Sequence, residues 1–279
     1  EGFEPLAVLE TIEEERCTGA YGVPTMFIAE LDHPQFADFD LGSLRTGIMA
    51  GSPCPIEVMK RVVDEMHMSE VTIAYGMTET SPLVLVQNAE MALANPGSTG
   101  KPGLHTQVRV VGEDGQDAAV GVTGELWVKG PNITPGYWNR PEATAEAITD
   151  GWLRTGDACR VDDQGHYFIV DRWKDMYISG GENVYPAEVE SVLFKLEGLA
   201  DVAVIGLPDE RWGELVTALV VPRDGSVIDG VELVAFCRER LAGFKVPRRV
   251  EVVAELPRNP MGKVQKFRII EQLDHIYRT

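Results

Sequence analysis

Asp171-Arg172-Trp173-Lys174-Asp175-Met176-Tyr177-Ile178-Ser179-Gly180-Gly181-Glu182-Asn183-Val184-Tyr185-Pro186 is the stretch from which the rest of the chain is read. The apolar run Tyr167–Val170 leads into it and ends in a dense cluster of charge. A short apolar piece follows, then two adjacent glycines, then a proline that opens a helical pattern. Adjacent glycines permit positive φ and close approach of a ligand to the backbone. Pro186 suits the first turn of a helix. A plain loop needs neither the paired charges before the glycines nor Glu182-Asn183 after them. The stretch reads as a joint that carries chemistry.

Outward from the joint, the texture differs on its two sides. Toward the N-terminus, Leu6, Leu9, Ile12 and Glu13 have helical spacing, and Thr18–Phe27 reads as a turn feeding an apolar segment. Short apolar strands are expected at Leu44–Met49 and Val71–Ala74. The helix between them has Ile56, Met59, Val62, Val63 and Met66 on one face. Strands alternating with helices predict an α/β layer with a parallel sheet, in which ligands bind beyond the carboxyl ends of the strands. The candidate ligand loops are therefore Gly51-Ser52-Pro53 and Tyr75-Gly76-Met77-Thr78-Glu79-Thr80. From residue 91 the chain turns β-rich, with strands at Val108–Val111, Glu125–Lys129 and His166–Val170. Glu113-Asp114-Gly115 and Asp162–Gly165 read as hairpin turns between them, and a small β-barrel or strongly bent sheet is expected.

After the joint the pattern is α+β. Helices are predicted at Pro186–Leu196 and Val231–Leu241, with Asp229 a candidate N-cap. Strands are predicted at Asp201–Gly206, Val216–Val221 and Val250–Val253. The division expected is 1–173, subdivided into an α/β part at 1–90 and a β-rich part at 91–173, then a small α+β domain at 174–279.

Composition narrows the function classes. The 279 residues carry a formal net charge of -19, with 44% hydrophobic and 25% charged residues. This is a globular balance, and its sign argues against a nucleic-acid binder. No apolar run has the length of a membrane span. Cys17, Cys54, Cys159 and Cys237 form no CxxC pair and read as free thiols of a reducing compartment. The expected location is the cytoplasm, with peripheral membrane association left open.

Five motifs in order then carry a resemblance. Tyr75-Gly76-Met77-Thr78-Glu79 is similar to Y-G-x-T-E. Gly124–Gly130 is similar to G-E-[IL]-x-[VI]-[KR]-G, and Trp152–Asp157 to W-x-x-T-G-D. Asp171-Arg172 with Lys174-Asp175 is similar to a hinge, and Pro257–Lys263 to P-x-x-x-x-G-K. Together they resemble the adenylate-forming enzymes, the superfamily of acyl-CoA synthetases, peptide-synthetase adenylation domains and luciferases. The likeness covers nearly all of the chain but only the later part of a family member. That superfamily's phosphate loop, S-G-T-T-G-x-P-K, is not found in these residues. Gly97–Pro102 looks like a phosphate loop but does not fit GxxxxGK[ST], and in the family the segment is structural.

The resemblance implies roles. Gly51, Ser52, Pro53, Tyr75, Gly76, Thr78, Asp157 and Arg172 would bind ATP or AMP. Tyr75 would offer a ring to adenine, Thr78 a hydroxyl to phosphate, and Asp157, presented on a tight turn, a carboxylate to the ribose hydroxyls. Glu79 would offer a hard oxygen to Mg2+, which takes few protein carboxylates. Lys174 would be the pivot of a domain rotation, and Gly180-Gly181 would lie against the pantetheine arm of coenzyme A. Glu182 and Asn183 are open to a second reading, as helix caps ahead of Pro186. Lys263 would be catalytic for adenylate formation, together with Thr78 and Glu79. Lys266 is the runner-up, though it reads more naturally as a solvated surface lysine. The expected fold is α/β plus α+β. The expected activity is that of a medium- or long-chain fatty-acyl-CoA synthetase using ATP, Mg2+ and coenzyme A. The alternatives are an aryl-CoA ligase, a peptide-synthetase adenylation domain, or an inactive nucleotide-binding fragment. The oligomeric state is left open.

Overall fold

The computed structural model describes residues 2–52, 54–223, 225–258 and 264–277. The chain divides into two compact units, Glu1–Ile169 and Val170–Thr279.

The first unit opens with helix α1 (Pro5–Glu15), strand β1 (Gly19–Gly22) and helix α2 (Pro24–Leu31). Thr18–Phe27 is thus a short strand and the start of a helix, not a turn feeding one apolar segment. Pro24 at the first helical position makes the switch, because its fixed φ suits a helix start and its missing N–H is not needed there. Strand β2 (Thr46–Ala50), helix α3 (Ile56–Asp64), strand β3 (Glu70–Tyr75), strand β4 (Leu85–Asn88), helix α4 (Ala89–Ala94) and strand β5 (Lys101–Pro102) follow. These strands form one sheet in the order β1-β2-β3-β4-β5. The first three pair parallel, while β4 pairs antiparallel with β3 and β5 antiparallel with β4, so the parallel pairing expected from the alternation stops at β3. Leu9 and Ile12 of α1, Phe27 and Leu31 of α2, Met59 and Val62 of α3 and Met49 of β2 share one buried core. This is the apolar face that the i, i+3, i+4 spacing predicts.

One residue runs against that core. Glu30 of α2 is only 3% exposed, and its Oε2 has no hydrogen-bond partner. Burial raises its pKa from 4.5 to about 7. Between these two values the folded chain holds the proton that the unfolded chain releases. Stability therefore falls as pH rises through this window and is level above it. Relative to the parent, the gain from Glu30→Met should be about 3 kcal/mol larger at pH 8 than at pH 4, read from urea midpoints at both pH values. Equal gains at both would refute the assignment.

The β-rich part is a second five-stranded sheet. It holds β6 (Gln107–Val111), β7 (Gly124–Lys129), β8 (Ile148–Thr149), β9 (Trp152–Val161) and β10 (Tyr167–Arg172), with helix α5 (Pro141–Ala147) before β8. The order is β10-β9-β7-β6, with β8 on β9. Asp162–Gly165 does turn β9 into β10. The turn at Glu113–Gly115 instead folds the chain back onto β6 itself, where Val111 bridges Asp117, and residues 118–123 intervene before β7.

Gly97–Pro102 stitches the two sheets of this unit. Thr99 N and Thr99 Oγ1 both donate to Tyr167 O, at 2.8 and 3.0 Å. Tyr167 N donates to Gly100 O, and Gln87 Nε2 donates to Ser98 O. Gly100 has φ +97, and a Cβ there would lie 2.2 Å from Val86 O. The segment is architectural.

The second unit carries β11 (Tyr177–Ser179), β12 (Glu182–Val184), helix α6 (Pro186–Leu193), β13 (Leu199–Asp209), β14 (Gly213–Pro222), helix α7 (Gly230–Arg238), β15 (Arg249–Val252) and helix α8 (Lys266–Tyr277). Its sheet runs β12-β11-β14-β13, with β15 parallel to β14. Asp229 caps α7, its side chain accepting from Val231 N. Val189 and Leu193 of α6 and Leu233 of α7 pack with Val204 and Ala218 of the sheet into a second core.

Candidate active site

Strands β2 and β3 are parallel and in register, with Ala50 beside Ala74. Gly51-Ser52 and Tyr75-Gly76 therefore leave the sheet at the same carboxyl edge. Gly51 has φ +88. Gly76 is required for a different reason, since a Cβ there would sit 1.5 Å from Pro82 O. The chain must double back tightly to return as β4. Thr80, fully buried, closes the loop: its hydroxyl accepts from Met77 N at 3.0 Å and donates to Met77 O at 2.9 Å. Asn132 Nδ2 donates to Thr80 O and Leu83 O, at 3.1 and 2.9 Å. Thr78 is left exposed at the surface of this loop. The Glu79 carboxylate accepts from the Tyr137 hydroxyl at 2.8 Å, and burial together with that carboxylate raises the Tyr137 pKa. Pro53, named with Gly51 and Ser52, lies outside the described residues.

Gly76→Ala should collapse this loop, because backbone carbonyl and Cβ cannot share the space and neither is a movable side-chain end. A loss of at least about 3 kcal/mol is expected, on the scale of severe overpacking, measured by denaturant unfolding of the first unit. A loss under about 1 kcal/mol would show that the loop relaxes freely.

Asp157 lies on β9, not on a turn. Trp127 of β7 pairs with Arg154 and Glu125 with Ala158, so three residues of β9 oppose one of β7. Gly156, with φ +70, sits in this bulge. Bulges re-aim side chains, and this one turns Asp157 toward Tyr75, whose hydroxyl donates to Asp157 Oδ2. Asp157 is 5% exposed. Burial, then the Asp157 carboxylate, pushes the Tyr75 pKa up. Glu125 holds the bulge from the other side. Its Oε1 accepts from Gly156 N at 3.2 Å, and its Oε2 accepts from Trp127 Nε1 at 2.8 Å and Arg154 Nε at 3.1 Å.

The structure thus joins Tyr75 to Asp157 and sets Glu79 on the same loop as Tyr75. Asn132 and Tyr137 escape sequence reasoning, because loop residues without regular spacing carry no periodic signal. Glu125 stands within the G-E-[IL] motif, but nothing local hints that its carboxylate reaches Gly156. Among the described residues no group of three or more His, Cys, Asp or Glu could hold a metal. Glu79 is consistent with a cation held mostly by phosphate oxygens, since Mg2+ keeps few protein ligands.

In the second unit, Arg172 ends β10 and Lys174 lies exposed in a single 3-10 turn, Trp173–Asp175. Gly180 and Gly181 form a two-residue hairpin turn between β11 and β12, with φ +62 and +86. Positive φ at both positions is the primed turn that matches strand twist. Glu182 and Asn183 are strand residues of β12. At the start of α6, Asp171 Oδ2 accepts from Ala187 N at 2.7 Å. Lys266 is not a solvated surface lysine: its side chain is 18% exposed and its Nζ lies 2.8 Å from Glu190 Oε1. The fold decides this by bringing the start of α8 to the acidic side chain of α6. Lys263 lies outside the described residues.

Against known proteins, residues 1–138 match the family model of AMP-binding enzymes and residues 188–263 that of the AMP-binding enzyme C-terminal domain. The chain is 49% identical to a feruloyl-CoA synthase of an Amycolatopsis species, over 95% of this chain and 53% of that protein. It is 45% identical to a putative acyl-CoA synthetase of Bacillus subtilis, over 97% of this chain and 50% of that protein. The fold is similar to that of the solved o-succinylbenzoate coenzyme A synthetase of Bacillus subtilis in complex with ATP and magnesium, with a TM-score of 0.85 and 34% identity over 97% of this chain and 54% of that one. The chain belongs to the adenylate-forming, AMP-binding superfamily. It spans about half the length of the curated relatives it matches.

Proposed function

We propose that this chain supplies the nucleotide loop and the C-terminal unit of an AMP-forming acyl-CoA synthetase. The observation that carries the reading is the Tyr75–Asp157 pair at the carboxyl edge of β2 and β3, with Glu79 on the adjoining loop. In the proposed reaction a carboxylate oxygen attacks the α-phosphorus of ATP, forming acyl-adenylate and releasing pyrophosphate. The sulfur of coenzyme A then attacks the acyl carbon and AMP leaves. Asp157 and Tyr75 would hold the nucleoside, Thr78 and Gly51-Ser52-Pro53 its phosphate side, and Glu79 the Mg2+ that rides on the phosphates. Arg172 would add a cation to the nucleotide. Lys174 would be the pivot, Gly180-Gly181 the turn beside the pantetheine arm, and Lys263 the adenylating lysine. The acid proposed first is a medium- or long-chain fatty acid. An aromatic acid is the second reading, favoured by the 49% identity to a feruloyl-CoA synthase. No helix among the described residues is long and apolar enough to cross a membrane.

The test is ATP–pyrophosphate exchange across a panel of alkyl and aryl carboxylic acids, followed by thioester formation with coenzyme A. Carboxylate-dependent exchange by the full-length enzyme supports the reading. Nucleotide binding without exchange for any acid would leave a binding protein instead. The 279 residues alone should exchange little, since the S-G-T-T-G-x-P-K motif that would supply phosphate-facing N–H groups is not among them.

A further inference from the structure

We infer that Glu125 is a positioning residue for nucleotide binding: its carboxylate fixes the bulge of β9 that aims Asp157, and so sets where the ribose hydroxyls can be held. This deepens the reading above, in which Asp157 holds the nucleoside, and rests on it. The extra residues of a bulge leave the ladder, so their amides need other partners. Gly156 N finds Glu125 Oε1 at 3.2 Å. Asp157 N finds Thr155 Oγ1 at 3.1 Å, and that hydroxyl donates to Leu126 O at 2.7 Å. Both holds lead back to β7, where Glu125 stands beside Leu126.

Glu125 is buried, and its second oxygen is occupied too. Oε2 accepts from Trp127 Nε1 and from Arg154 Nε, which supplies the countercharge. Three donors from two strands thus converge on one carboxylate. A carboxylate accepts at both oxygens, whereas a glutamine of the same shape accepts at one end and donates at the other. Whichever way such an amide turned, an N–H would face an N–H, either that of Gly156 or those of Trp127 and Arg154. The arrangement therefore calls for an ionised acid at this position. Gly156 has open space where a Cβ would lie, so its φ of +70, not crowding, is what the glycine provides. Glycine permits the turn in the backbone, and Glu125 holds it there.

The consequence falls on Asp157. Successive side chains of a strand point to opposite faces, so a slip of one residue reverses the side on which a group stands. With Gly156 released, residues 155–157 are free to shift against β7, and Asp157 would lose the direction that brings it to the Tyr75 hydroxyl. Glu125 touches no ligand in this scheme. It acts on the nucleotide through the backbone on which Asp157 is mounted.

The experiment is calorimetric titration of the full-length enzyme with AMP and with 2′,3′-dideoxy-AMP, which lacks both ribose hydroxyls. The parent should prefer AMP roughly 10–100-fold, the range for charged hydrogen bonds to a ligand. Asp157→Ala should reduce that preference to below about threefold. Glu125→Ala should reduce it as far, with affinity for the dideoxy nucleotide kept within about threefold of the parent. Glu125→Gln, which preserves the shape, should also lose most of the preference, and it carries the test if Glu125→Ala does not fold. A role in stability alone would lower the melting temperature and weaken both nucleotides alike. The preference would then stay at its parental value, which overturns the inference. If the parent shows no preference, or Asp157→Ala keeps it, the placing of the nucleoside at Asp157 fails and the inference with it. If Asp157→Ala abolishes the preference while the Glu125 variants retain it, the inference fails and the function reading stands.

Discussion

Lys263→Ala in the full-length enzyme should lower acyl-adenylate formation by roughly 10²–10³-fold, the range for removing one preorganised charge-stabilising group. The reason lies in the chemistry of the step. Negative charge gathers on the α-phosphate as the carboxylate attacks, and an ammonium on a long stem can meet both groups. Thioester formation from supplied acyl-adenylate should change little, because the proposed rotation about Lys174 carries the lysine away from the site. Both half-reactions should be measured on one folded preparation. A fall in both together would argue against the rotation. Unchanged adenylation would return Lys263 to the status of a surface lysine, whose loss shifts stability by only about 0.5 kcal/mol.

Asp157→Ala should be the other large effect. The variant removes an acceptor for the nucleoside and takes from the partly buried Tyr75 hydroxyl the carboxylate oxygen it donates to, Asp157 Oδ2. Losing a charged hydrogen bond to a ligand and leaving a donor without its partner each cost about 1–3 kcal/mol. We expect kcat/KM for ATP to fall roughly 10–10²-fold, with stability lower by about 1–2 kcal/mol. Tyr75→Phe separates the two parts. It keeps the ring and releases Asp157 Oδ2, so the loss for ATP should stay within about tenfold. Isothermal titration with AMP and steady-state kinetics on the same variants decide between them. If Tyr75→Phe proves as damaging as Asp157→Ala, the hydroxyl itself contacts the nucleotide and the division of labour proposed here is wrong.

Legibility in the sequence differs by element. The 3–4 spacing of Met59 and Val62, and of Val189 and Leu193, places those helices and their buried faces. The parallel edge that sets Gly51 beside the Tyr75 loop follows from alternating strands and helices. Asp229 is legible as a cap because capping is local, acting within two residues.

By itself, then, the sequence determined the family and most of the regular elements and named candidate site residues, since motif spacing, helical periodicity and glycine pairs are local properties of the chain. Only the tertiary structure decided what those residues touch. Thr155-Gly156-Asp157 reads as a turn until β7 pairs with β9 and leaves the extra residues as a bulge. Lys266 reads as solvated until Glu190, far away in sequence, is folded against it. Asp171 reads as hinge charge until its oxygen meets the amide of Ala187. In each case the deciding partner is distant along the chain, and burial makes the contact obligatory, because a buried polar group left unpaired costs more than the contact it makes.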